Sequence, residues 1–196
     1  MKKYLLGFVI LLGMLSCEKD KNEKQPSAVS FENVKVNVIY PESDAITWIG
    51  TTTGLFKNQS DVWYDYSEEI AGKEVLDIVY YSGTLWLGTA EGLLQARMDG
   101  NNLTIETTFD QTNTCLPGMQ IQSLGVSPDD RLWVGTDNGI CHYDGEQWNE
   151  LQVKKMQGIN VSSIAFDQSD YYIGTYGNHL YHYYVQDVDG TTGASY

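Results

Sequence analysis

The chain has 196 residues, 42% of them hydrophobic and 19% charged, a balance that suits one folded domain and excludes a disordered chain. Twelve basic residues stand against 26 acidic ones, a formal charge of −14, and the only adjacent basic pair beyond the N-terminus is Lys154-Lys155. A nucleic-acid surface needs clustered Lys and Arg, so nucleic acid is not an expected partner.

At the N-terminus, Lys2-Lys3 precedes an apolar run from Leu5 to Leu12, and Met14-Leu15-Ser16-Cys17 follows it. This order resembles a bacterial lipoprotein signal, with Met14 where that family usually carries Leu. The resemblance implies a signal peptide at residues 1–16, cleavage before Cys17, and acylation of Cys17, palmitate being a typical chain. The apolar run is shorter than the ~20 residues that span a bilayer, so the expected membrane contact is the lipid on Cys17, in the outer membrane on its periplasmic or surface side. Two or three acyl chains on one Cys meet the requirement for stable anchoring. Without Lys2 and Lys3 the charge becomes 10 − 26 = −16. Residues 17–28 are polar, with Lys, Asp, Asn, Gln and Pro, and are read as a flexible tether; residues 29–196 form the folded domain.

The domain is a series of short apolar segments punctuated by turn residues. Strands are expected at 35–39, 45–51, 55–56 and 62–66, then at 75–81, 85–89, 93–98 and 103–109. A third set falls at 121–126, 132–136, 140–143 and 147–151, and a fourth at 161–166, 171–175 and 180–185. Asp99-Gly100, Asp144-Gly145 and Asp189-Gly190 mark hairpin turns between the third and fourth strands of their sets. The second strand of every set carries one pattern. Trp48-Ile49-Gly50-Thr51, Trp86-Leu87-Gly88-Thr89 and Trp133-Val134-Gly135-Thr136 each precede a turn containing Gly, and Tyr172-Ile173-Gly174-Thr175 keeps the frame loosely. From aromatic to aromatic the steps are 38, 47 and 39 residues, the period of a four-stranded propeller blade. Consecutive apolar positions fit a strand covered on both faces, with each Trp filling the space between blades.

The fold expected is therefore all-β, a propeller of four blades of four-stranded antiparallel sheet. The last blade is either incomplete or closed by the N-terminal strand. Of its two sources for an outer strand, 191–196 is short and poor in apolar residues, and Val29-Ser30-Phe31 is preferred. Four blades require a small ring, a second chain, or further blades of a longer propeller. The same residues carry a resemblance. Apolar-Trp-apolar-Gly-Thr-x-x-Gly-apolar, followed by the tail His142-Tyr143-Asp144-Gly145-Glu146-Gln147-Trp148, resembles the two-component regulator propeller repeat over roughly residues 30–190, most clearly in blades one to three. Members of that family are often periplasmic ligand-sensing portions of sensor kinases, which implies a binding role.

Chemistry leaves little trace. His142, His179 and His182 lie on third strands without convergent ligands, so no metal and no cofactor are expected. Asp129-Asp130, Asp167 and Asp170 fall in turns, where Asp commonly bonds its own backbone. Cys115 and Cys141, 26 residues apart, form either a bridge worth ~3 kcal/mol or two thiols with Cys141 a small buried hydrophobe, the second being preferred. With no nucleophile or paired acid and base in view, the chain is read as a non-catalytic binding module. A structural subunit of an envelope assembly, or a fragment of a larger sensor propeller, is the alternative, an oligomer is left open as a partner, and a propeller lyase or glycosidase is a distant third. Strand direction places the turns between second and third strands on one face of the ring, beside the long loops between blades. The candidate ligand residues there are Glu91, Asp137, Asn138, Tyr176 and Asn178, around a neutral or cationic carbohydrate, peptide or protein ligand.

Overall fold

The computed structural model describes residues 23–151, 158–168, 170–177, 180–185 and 192–195. The lipoprotein signal, Cys17 and Asn178 lie outside the described residues. Those described form four sheets of four antiparallel strands, each in chain order. Blade one comprises β1 (Val36–Pro41), β2 (Ile46–Thr51), β3 (Gly54–Gln59) and β4 (Val62–Asp65); blade two, β5 (Val75–Tyr81), β6 (Thr84–Thr89), β7 (Gly92–Asp99) and β8 (Asn102–Phe109). Blade three comprises β9 (Ile121–Val126), β10 (Leu132–Thr136), β11 (Gly139–Tyr143) and β12 (Trp148–Glu150); blade four, β13 (Val161–Asp167), β14 (Asp170–Thr175), β15 (Leu180–Val185) and β16 (Thr192–Ser195). The inner strands β1, β5, β9 and β13 lie side by side in that order, so the sheets are arranged as propeller blades.

The repeated sequence pattern explains the blade. Every residue of β6 and β10 is buried, because neighbouring blades cover both faces. At the end of the second strand the Thr hydroxyl closes the turn from inside. Thr51 Oγ1, Thr89 Oγ1 and Thr136 Oγ1 donate to the carbonyls of Gly54, Gly92 and Gly139 at 3.1, 2.7 and 3.0 Å. The same hydroxyls accept from the backbone of Thr53, Glu91 and Asn138, each at 3.1 Å. The backbone at Gly92 and Gly139, with φ of 114° and 141°, enters the region that favours glycine.

Three seams join the four blades. Trp48, Leu55 and Tyr66 meet Val75, Ile78 and Leu87 at the first; Trp86 and Leu93 meet Ile121, Leu124 and Val134 at the second; Trp133 and Ile140 meet Val161 and Ile173 at the third. The glycine before each Thr is the floor of the seam. A Cβ at Gly50, Gly88 or Gly135 would stand 2.6 Å from Val75 Cγ1, 2.8 Å from the Ile121 carbonyl oxygen, or 2.5 Å from Val161 Cγ1. Polar groups stitch the seams as well: Asp77 Oδ2 accepts from Leu124 N at 2.6 Å, and Ser123 Oγ from Ile164 N at 3.0 Å. Cys115 and Cys141 are separate thiols in the second seam.

The source of the outermost strand differs from the expectation. β16, from the C-terminal end, pairs with β15 from His182↔Ser195 to Val185↔Thr192, and Val29-Ser30-Phe31 takes no part. An outer strand contributes a backbone ladder more than apolar area, so a Thr-Gly-Ala-Ser segment suffices. The N-terminal segment is already committed to blade one. Phe31 sits edge-on against Phe56 and Trp63, with centroids 5.2 and 5.3 Å away, and Ser27 N donates to the Trp63 carbonyl at 2.8 Å.

Candidate functional site

The inner strands share an irregularity that builds a cavity. The register between first and second strands slips between Val36 and Val38, Val75 and Asp77, and Val161 and Ser163, and in blade three Gln122 is passed over in the same way. Such a bulge inserts one unpaired residue and re-aims its side chain. The four residues so placed, Asn37, Leu76, Gln122 and Ser162, line one cavity of about 240 Å³ together with Lys35 and Tyr176. One residue from each blade thus converges at the mouth of the central channel. The lining offers amides, a hydroxyl, one ammonium and one phenol ring. Asn37 is oriented by donating through Nδ2 to Glu74 Oε1 and to the Val75 carbonyl, both at 3.0 Å.

The residues proposed from sequence divide here. Tyr176 is 65% exposed and reaches the cavity, while its backbone N–H donates to the Asn160 carbonyl at 2.9 Å. Asp137 and Asn138 fasten their turn to the loop before blade three: Asp137 Oδ1 accepts from Gln120 N at 3.3 Å, and Asn138 Nδ2 donates to the Pro117 carbonyl at 2.8 Å. Glu91 pairs with Lys73, whose ammonium holds the carboxylate below its ordinary pKa through a hydrogen bond and its charge. These three do not line the channel cavity. Sequence reasoning missed Asn37, Gln122 and Ser162, because the bulge that aims them leaves no mark in composition; their shared place, second in each inner strand, is the only signal.

A second cavity, of about 330 Å³, opens on the opposite face between blades one and two, lined by Glu42, Trp48, Lys57, Met98 and Asn101 among others. Lys57, 3% exposed, donates to Asn101 Oδ1 at 2.8 Å and lies 4.7 Å from the centroid of Tyr64 and 5.8 Å from those of Trp48 and Tyr66. Burial pushes its pKa down, against the charges of Glu42 and Glu23. Its place is that of a ring cover: Lys57 pairs with Trp48 across the hairpin as His142 does with Trp133 and His182 with Tyr172. His142 stacks on its Trp at 4.9 Å and His182 on its Tyr at 4.8 Å. Both histidines therefore act as strand packing. Burial lowers the His142 pKa and favours its neutral form.

Blade geometry, the Thr-locked turn and the run from Cys115 through β9 and β10 coincide with a known repeat. Residues 115–138 match the family described as two component regulator propeller. This segment is similar to a two component regulator propeller repeat. Solved structures extend the likeness of fold to most of the chain. The extracellular domain of the one component system BT4673 from B. thetaiotaomicron is 22% identical, with a TM-score of 0.52, over 83% of this chain and 28% of that one. The extracellular domain of the hybrid two component system BT3049 from the same organism is 16% identical, with a TM-score of 0.58, over 80% and 22%. PorZ, a bacterial surface component of the type-IX secretion system of Porphyromonas gingivalis, is 15% identical, with a TM-score of 0.61, over 85% and 27%. The chain thus spans about a quarter of the length of these three solved chains. No curated protein matches it.

Proposed function

We propose that this chain is a cell-envelope lipoprotein, anchored through Cys17, whose propeller binds a small neutral or cationic ligand, carbohydrate or peptide, without catalysing its conversion. The observation that carries the reading is the channel cavity, lined by one bulged residue from each blade, of which Asn37, Gln122 and Ser162 bring amide and hydroxyl groups beside the Tyr176 ring. Such groups hydrogen-bond the hydroxyls of a sugar or the amides of a peptide while an aromatic ring stacks on an apolar face. A charge of −16 on residues 17–196 repels polyanions at long range. Likeness to the extracellular parts of sensor systems supports an envelope address and a sensing role, and the lipoprotein-like order of residues 2–17 supports the anchor.

The test is a glycan and peptide array probed with the chain lacking residues 1–17, repeated with Gln122→Ala and Tyr176→Ala. Each substitution is expected to weaken a true channel ligand about tenfold or more, on the order of 1.4 kcal/mol. Retained binding in both variants, with loss in Glu42→Ala on the opposite face, overturns this reading.

A further inference from the structure

Four equivalent blades have three seams, and the two surfaces left over are the two halves of a fourth. Position by position, Val36 of β1 corresponds to Val75, Ile121 and Val161, the residues that pack on Gly50, Gly88 and Gly135. Those three are fully buried, whereas Val36 is 41% exposed. Ile39 corresponds to Ile78 and Leu124, which are 3% and 7% exposed; Ile39 is 65% exposed. At the other end of the chain, Leu180 holds the place of Leu55, Leu93 and Ile140, which are 0%, 0% and 3% exposed; Leu180 is 60% exposed. Gly174 holds the place of the three seam glycines, yet the nearest atoms to a Cβ built on it belong to Ser162 and Ser163 of its own blade. Blade one therefore presents the projecting half of a seam, and blade four the receiving half. Among the described residues no buried cluster joins β13 to β1.

We propose that a second copy of this chain fills both halves: blade one of each copy docks on blade four of the other, and two chains close an eight-bladed ring. The occupant is argued from continuity with the interfaces already present. A surface shaped like the leading face of an inner strand fits the trailing face of a blade of the same repeat, and this chain carries one of each. A head-to-tail contact that closes after two copies leaves no free half, and eight blades lie within the range that propellers adopt. The stitching recurs too. Ser163 stands where Ser123 accepts from Ile164 N, so Ser163 Oγ of one copy accepts from Ile39 N of the other. The proposal is independent of which ligand the channel takes.

The experiment measures the mass of the full chain in mild detergent by detergent-corrected light scattering, for wild type and Ile39→Asp. Because Ile39 is mostly exposed within one copy, the variant keeps its blades, which far-ultraviolet circular dichroism verifies. The expected result is the mass of two chains for wild type and of one chain for Ile39→Asp. In parallel, differently tagged copies carrying Ile39→Cys and Ser163→Cys singly are co-expressed and mildly oxidised, with wild type as the control for its own cysteines. A disulfide joining the two tags supports the dimer. A one-chain mass for wild type at every concentration overturns it, as does a two-chain mass that Ile39→Asp leaves unchanged. In a third sample, one chain carries both Ile39→Cys and Ser163→Cys, and a disulfide formed only within that chain also overturns the proposal, by showing that the ring closes on itself.

Discussion

Asp77 is a buried carboxylate of the second seam. Burial between blades pushes its pKa up to about 6, outweighing the backbone N–H groups of Leu124 and Ile78 that pull it down. An unfolded chain releases this proton near pH 3.9, while the folded chain holds it until about pH 6. The folded state therefore binds more protons between those values. Stability is fully present below the unfolded pKa and declines as pH rises through the folded one, by up to about 3 kcal/mol. Asp77→Ser should remove this decline while keeping the stitch, since Ser123 already performs it at the next seam. Urea midpoints at pH 4 and pH 7 check it; an unchanged pH dependence refutes the assignment. Gly135 is the second residue to test. Its missing Cβ leaves room for the branched stem of Val161, which cannot swing aside, so Gly135→Ala should cost about 1–3 kcal/mol in the same denaturation.

At the level of elements, the blade was legible and its edges were not. Apolar pairs ending in Gly-Thr, with a Gly shortly after, specify a buried strand and a locked turn, and β2, β6, β10 and β14 fall where that pattern lies. The Trp period located the seams for the same reason: only a bulky ring fills the gap between sheets. Two features were hidden. The bulges that expose Asn37, Gln122 and Ser162 depend on register, which a single strand's composition does not record. The outer strand of blade four is made by backbone pairing, so judging 191–196 by its apolar content pointed to the wrong end of the chain. The truncation ranking follows from the observed pairing. Removal of residues 191–196 should bare the edge of β15 and lower the melting temperature, and a melt identical to the full domain would show that β16 adds nothing. Phe31→Ala tests the N-terminal contact separately, with an expected loss of about 1–2 kcal/mol from two edge-on ring contacts and partial burial.

Across the whole molecule, the candidate site divides by what each residue must do locally. Tyr176 is the one of the described turn residues named from sequence that reaches the cavity. Glu91, Asp137 and Asn138 come from the equivalent turns, and their side chains bond Lys73, the Gln120 backbone and the Pro117 carbonyl. Amide and carboxylate groups in tight turns commonly satisfy backbone donors and acceptors first. The channel lining comes instead from inner strands contributed by all four blades, and no local window of sequence contains it.

The residues just before blade one hold a consequence for the posture of the molecule. Lys24 N donates to Asn102 Oδ1 at 2.8 Å, Lys24 Nζ pairs with Glu69 at 2.6 Å, and Glu23 Oε1 accepts from Asn101 Nδ2 at 3.0 Å. The chain is thus pinned beside the hairpin turn of blade two, on the face opposite the channel mouth. If Cys17 carries the lipid proposed above, the stretch from residue 17 to residue 23 reaches at most about 20 Å when fully extended. So short a leash, fastened at that rim, would aim the cavity outward, away from the lipid. A quencher carried in the headgroup layer should accordingly dim a dye placed at Asp99 more than one at Tyr176, and equal dimming would mean that the propeller tumbles freely on its anchor.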